Sequence, residues 1–162
     1  MRGMRALGLI LVGLVVAACS QSSPVVSPGQ ADGACDPYVV TAVVPAWARA
    51  GFTDPNPVAA YEVGRSAEIA AILFGNPLTV PPPTDHQNKI LWVMRDPVAA
   101  SSLEISAQRM QGAAAIGDPV TQTVAGGPGP STVNLPVAGC WRFTLRWGGR
   151  TDSLDLAYIA ST

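Results

Sequence analysis

Hydrophobic and polar positions alternate most strictly near the C-terminus, in "CWRFTLRW". There Trp141, Phe143, Leu145 and Trp147 fall on one face and Arg142, Thr144 and Arg146 on the other. A period of two predicts a strand with one side in a core and the other in water. "SLDLAY" repeats the pattern through Leu154, Leu156 and Tyr158, and the "GGR" between the two runs predicts a hairpin turn. "KILWVMR" and "SLEISAQ" add two more strands, the first apolar enough to be buried on both faces. "SAEIAAILFG" reads two ways. Ser66 can cap a helix whose face carries Ile69, Ile72 and Leu73 and which ends at Gly75, but the run up to Phe74 is short and its surroundings favour a buried strand, which is the preferred reading. "VVPAWARAGF", Val43 to Phe52, predicts an irregular lead-in with a short helical turn.

Between these runs the punctuation is dense: "DPNP", "GNP", "VPPP", "RDP", "GDP" and "GGPGP". Prolines and glycines at that spacing describe many short strands and turns. Six to eight strands in roughly 125 residues predict an all-β fold, an antiparallel β-sandwich.

The first residues follow a different rule. "LGLILVGLVVAACS" holds an apolar run from Ala6 to Ala18, which as a helix spans roughly 20 Å, short of the ~30 Å hydrocarbon core. Arg2 and Arg5 precede it and the small pair Ala17 and Ala18 follows, the order of an export signal. A core helix and an ordinary signal peptide with a chance cysteine are the competing readings. "VAAC", Val16 to Cys19, resembles the lipobox of bacterial lipoproteins. The resemblance implies cleavage between Ala18 and Cys19, acylation of the Cys19 thiol with a diacylglyceryl group, and a palmitate-type lipid anchor on the extracytoplasmic face of the cell membrane. Two or three acyl chains hold a protein on a bilayer, whereas one is marginal.

The implied organisation is a signal peptide over 1–18, a lipidated tether over 19–34 and a β-sandwich domain over 35–162. "SQSSPVVSPGQADGA", Ser20 to Ala34, has almost no bulky side chain and cannot bury enough apolar surface to order itself. Removing the signal takes Arg2 and Arg5 with it, so eight basic residues face eleven acidic ones, a formal charge of −3. One lysine, Lys89, and no basic run argue against nucleic acid as a partner. The expected partners are membrane lipid through acylated Cys19 and an envelope protein or polymer.

With Cys19 acylated, Cys35 and Cys140 are the remaining thiols, and outside the cytoplasm such a pair is more often bridged than free. A metal pair or a redox couple is the alternative, and the spacing suits neither. A disulfide here would close a loop of roughly 100 residues, for which the chain-entropy model gives ~4.7 kcal/mol as an upper figure.

A second resemblance lies in "PSTVNLPVAGCWRFTL". Pro130, Ser131, Leu135, Pro136, Gly139 and Trp141 are similar to the "PS…LPxxGxW" segment of small immunoglobulin-like lipoproteins of Gram-positive bacteria. It implies an immunoglobulin-like sandwich in which a strand and a Pro-Gly corner lead into the tryptophan-bearing strand. The cysteines depart from the antibody pattern, since Trp141 directly follows the second of them.

Candidate chemistry is sparse. His86, beside Asp85 in "PPPTDHQNK", is the one histidine; a hydrolytic or metal role would need partners the sequence does not nominate, and a solvated loop is the expected setting. His86, Met94 and Met110 have ligand types that suit copper but no clustering. Asp36, Asp54, Asp96, Asp152 and Asp155 mostly adjoin Pro, Ser or Thr, which predicts turns. Of four tryptophans, Trp92, Trp141 and Trp147 fall at core positions, and only Trp47, with Arg49 nearby, is a candidate for an exposed sugar-stacking face. These residues predict no catalytic site, no metal and no cofactor. The leading expectation is a non-enzymatic binding or scaffolding module; the alternatives are an envelope hydrolase using His86 and a carrier of a small molecule or metal.

Overall fold

The computed structural model describes residues 34–84, 87–96 and 101–161. Among them run eleven strands: β1 Val40–Val43, β2 Val58–Val63, β3 Ile69–Leu73, β4 Leu78–Val80, β5 Lys89–Met94, β6 Leu103–Gln111, β7 Ala114–Ala115, β8 Val120–Val124, β9 Pro130–Thr132, β10 Gly139–Trp147 and β11 Arg150–Ala160. They form two packed sheets. The first has the order β1-β2-β3-β5-β9; the second has β4-β11-β10-β6-β7, with β8 also on β6. The fold is the expected all-β sandwich, with more and shorter strands than the sequence suggests.

The hairpin β10–β11 is the backbone of the second sheet. Trp147 pairs with Arg150, so the turn is Gly148-Gly149 alone, and both glycines have positive φ, as a two-residue hairpin of matching twist requires. The alternating residues go where their period sends them: Trp141, Phe143, Leu145 and Trp147 are buried against Leu154, Leu156 and Tyr158. Each such side chain removed from water contributes roughly 1.5–3 kcal/mol. Three core aromatics also find partners for their polar atoms. Trp92 Nε1 donates to Ser131 Oγ at 2.9 Å, Trp141 Nε1 to the Val137 carbonyl at 3.1 Å, and the Tyr158 hydroxyl to the Val133 carbonyl at 2.9 Å.

Within Ser66 to Phe74 the element formed is a strand, Ile69–Leu73, not a helix, and Ser66 lies in the turn before it. β3 lies between β2 and β5 and is buried on both faces, with Ile69, Ala71 and Leu73 in the main core and Ala70 and Ile72 in a second cluster outside the first sheet. That outer cluster exists because the lead-in folds over it. A single 3₁₀ turn, Ala46–Ala48, lays Val44, Trp47, Ala48 and Phe52 on Leu91 and Val93, so β5 is covered on both sides as its composition suggests.

One pairing departs from the antiparallel expectation. β4 crosses to the second sheet and runs parallel to the end of β11. The amide of Asn88, 2 % exposed, holds it there: Thr79 N–H donates to Asn88 Oδ1 at 2.9 Å and Asn88 Nδ2 donates to the Thr79 carbonyl at 2.8 Å. A side chain thus supplies the bonds of a neighbouring strand.

Candidate functional site

Cys35 and Cys140 are bridged, with Cα atoms 6.1 Å apart. Cys140, the second residue of β10, lies on the outer face of the second sheet, opposite Met110 of β6. The chain therefore enters the domain over that face, where Cys35 N–H also donates to the Gly112 carbonyl at 2.9 Å. It then crosses the side of β11 that β4 leaves open and joins the first sheet as β1. Residues Cys35 to Val39 are a strap around one side of the sandwich.

Beneath the strap is a cluster of charged groups. Asp155 is fully buried although its side chain points to the outer face, because Arg142 grips it from the neighbouring strand (Nε to Oδ1 3.0 Å, Nη2 to Oδ2 3.1 Å) and Arg65 reaches Oδ2 at 2.6 Å. The strap's own Asp36 N–H donates to the same oxygen at 3.0 Å. Burial pushes the Asp155 carboxyl upward, but the Arg142 bonds, the Asp36 N–H and Arg65 together outweigh it and hold the group below the ordinary carboxylate value.

Glu62 completes the cluster from β2. Its Oε2 accepts Tyr38 N–H at 3.0 Å and its Oε1 accepts Asp155 N–H at 3.2 Å. It thereby satisfies a backbone donor of the strap and one on the open side of β11. Burial dominates here: the Glu62 carboxyl is pushed from its ordinary 4.5 up to about 7, with the Asp155 charge adding to the rise and the two N–H bonds and Arg65 opposing it.

Asp152, also buried, serves the next turn. Its carboxylate accepts the N–H groups of Ser66 (2.8 Å), Glu68 (2.9 Å), Ile69 (3.3 Å) and Ser153 (2.7 Å), fixing the β2–β3 turn against β11. The turn expectation for these acids is thus corrected. Asp54 does bond within its own turn, to Asn56 N–H at 2.8 Å, but Asp152 and Asp155 lie inside β11 and bind across sheets.

Each carboxylate of the cluster accepts backbone N–H groups, and Asp155 also holds two guanidinium groups. Among the described residues no three His, Cys, Asp or Glu side chains are placed to hold a metal ion. Met94 lies in the first sheet and Met110 in the second, so no thioether pair forms. His86 and Asp85 lie outside the described residues, as do Ala18, Cys19 and the tether up to residue 33. Trp47 is half-buried, and the cation over its ring is Arg95 at 4.7 Å; Arg49 instead ties the lead-in together through the Val44 and Pro55 carbonyls at 2.7 and 2.9 Å. No helix among the described residues is long and apolar enough to cross a membrane.

The outer face of the second sheet offers a different surface. Beyond the strap it carries Thr144 and Arg146 of β10, Glu104 and Ser106 of β6 and the exposed Thr121 and Thr123 of β8. Where it meets the hairpin turn, a cleft of about 390 Å³ is lined by Ser101, Glu104, Arg146 and Arg150. Its wall includes Trp147, whose indole N–H is buried without a partner among the described residues, as is the Ser101 hydroxyl. Comparison with known proteins gives no family model, no curated protein and no solved structure that matches the chain.

Proposed function

We propose that this chain is an exported, lipid-anchored envelope protein whose immunoglobulin-like sandwich is a non-enzymatic binding or scaffolding module. The observation that carries the reading is the bridge between Cys35 and Cys140. Disulfides persist in oxidising compartments and are rare in the cytosol, so a bridge at the head of the domain supports the export signal and the lipobox-like "VAAC" that precede it. Its position suits an anchored protein. A pull through the tether from Cys19 would reach Cys35 and pass by covalent bonds into β10, a central strand, instead of peeling β1 from the edge of the first sheet.

Rigid sandwiches present partners with edges and faces, and this one has a flat polar face on the side away from the lead-in. The implied partners are membrane lipid at Cys19 and an envelope protein or polymer at the sandwich. The test is metabolic labelling with a fatty acid analogue in the native host. Incorporation is expected in the wild-type chain and lost in Cys19→Ser; equal labelling of the two overturns the anchored reading.

A further inference from the structure

Strand β8 reads Val-Thr-Gln-Thr-Val, the same in either direction. On one side it pairs, residue for residue, with Leu103–Ala107 of β6; among the described residues nothing pairs with its other side. An unpaired edge is a row of free N–H and C=O groups, and sheets that must stay single guard it with charge, proline or a bulge. Asp118 and Pro119 stand just before β8, but the strand itself has none of these. Residues 120–124 include no charge and no proline, and the continuous register leaves no room for a bulge.

We infer that β8 is a self-pairing edge whose partner is β8 of a second copy of this chain, running antiparallel about a two-fold axis through Gln122. In that arrangement Val120 stands opposite Val124 of the second copy, Thr121 opposite Thr123, and Gln122 opposite its own counterpart. The palindrome makes every opposed pair alike: valine with valine, threonine with threonine, amide with amide. Opposed β-branched and hydroxyl pairs stabilise antiparallel sheets. Val120 and Val124 are half-buried against their own core and would lose their remaining exposure against each other.

Charge fits the same axis. On the outer face Thr123 continues a row through Glu104 to Arg146, while Thr121 continues a row through Ser106 to Thr144. The two-fold sets the first row of each copy end-on to the second row of the other, so the charged row abuts an uncharged one. Neither Glu104 nor Arg146 meets its own image. An occupant of unrelated sequence would gain the backbone bonds but not this matching.

The inference deepens the binding reading by naming a partner, yet it stands on β8 and not on the acylation of Cys19. A five-residue strand pair is a small interface, so membrane confinement would raise occupancy without being its cause. The test uses the purified full chain, with the unsubstituted protein as the background for its own thiols. Directly opposed Cα atoms in an antiparallel pair are about 4.5–5.5 Å apart, within reach of a disulfide, whereas diagonal ones at about 7–8 Å are not. Under mild oxidation Gln122→Cys is expected to give linked dimers several-fold above background. Thr121→Cys and Thr123→Cys should each stay near background alone and link when mixed.

On the Gln122→Cys chain, Thr121→Lys with Thr123→Lys should abolish the link, and Thr121→Glu with Thr123→Lys should keep it, because lysine then faces glutamate across the axis and Glu104 within its own chain. Both positions are exposed, and unchanged melting temperatures certify the fold of each variant. Equal linking by all three single cysteines, no link above background from Gln122→Cys, or a link to a different protein in intact cells would each overturn the inference.

Discussion

The carboxylate of Glu62 in the first sheet accepts the backbone N–H of Asp155 in the second at 3.2 Å. Each residue belongs to a strand whose neighbours lie in its own sheet, so this bond helps to join the sheets along the open side of β11, together with the Arg65 N–H to Ser153 carbonyl bond at 2.8 Å, the Arg65–Asp155 ion pair and the Asp152 bonds to the β2–β3 turn. The strap closes over them through Tyr38 and Asp36. A buried donor on a strand without a neighbour would otherwise be unsatisfied, at a cost of roughly 1–3 kcal/mol.

Joining the sheets through a buried carboxylate makes stability depend on pH. Glu62 titrates near 7 in the folded chain against 4.5 when unfolded, so between those values the folded state binds more protons. Its contribution is therefore full below about 4.5 and is lost as pH rises through 7. At ~1.36 kcal/mol for each pH unit of displacement, the loss is on the order of 3 kcal/mol. Asp155 works in the opposite sense: held below its ordinary value, it stabilises above 3.8 and that contribution is lost on further acidification. Denaturant midpoints should fall from pH 5 to pH 8 in the wild-type chain, and the slope should flatten in Glu62→Gln.

Removing the other carboxylate takes a shared partner from two cations. Asp155→Ala leaves Arg142 and Arg65 half-buried without the group that holds them, and breaking such a pair costs about 3–5 kcal/mol. The effect should add only in part to that of Arg142→Ala, because the two changes share the Arg142–Asp155 bonds while Asp155→Ala also removes those to Arg65 and to Asp36 N–H. A double-mutant cycle in urea reads the coupling directly; additive losses would show that the two residues act separately.

How far these relationships can be read from sequence depends on whether a run is long enough to show its period. β10 and β11 alternate over many residues around Gly148-Gly149, so their core faces and the sandwich class are legible. β1, β4, β7 and β9 span two to four residues each and display no period at all. The disulfide is legible through compartment logic, since the reading of Cys19 as an acylation site leaves only one pair. The buried acids are not, because a neighbouring Ser or Thr marks a turn as readily as a strand. One signal does bear on Asp155: a two-residue turn at Gly148-Gly149 sets Trp147 opposite Arg150, and counting back places Arg142 opposite Asp155. Glu62 has no such signal, because its partners lie in the other sheet and on the strap.

Gly64 is required by the acid that faces it. A Cβ at this position would lie within 3 Å of three atoms of the Asp152 carboxyl group. That group cannot retreat, since four backbone N–H groups fix it. Gly64→Ala should lower stability by about 1–3 kcal/mol, as overpacking does. Shortening the acid as well, in Gly64→Ala with Asp152→Ala, should cost less than the sum of the single changes, which thermal melts of the three variants will show.

The bridge should behave as one unit. Cys35 begins the strap that covers Asp155 and Glu62, and Cys140 fixes it to a central strand, so loss of either thiol frees the same segment. Cys35→Ser and Cys140→Ser are expected to lower stability equally, by about 2–5 kcal/mol, with the double variant no worse than either. Freeing the strap also uncovers Glu62, and relief of the burial that raises its carboxyl outweighs loss of the Tyr38 N–H that lowers it, so the reduced protein should have a shallower dependence on pH between 5 and 8 than the oxidised one. Peptide mapping without reductant should recover Cys35 linked to Cys140. Two alkylatable thiols at these positions in protein purified under oxidising conditions, or additive losses from the single substitutions, would show that each cysteine stabilises only its own surroundings.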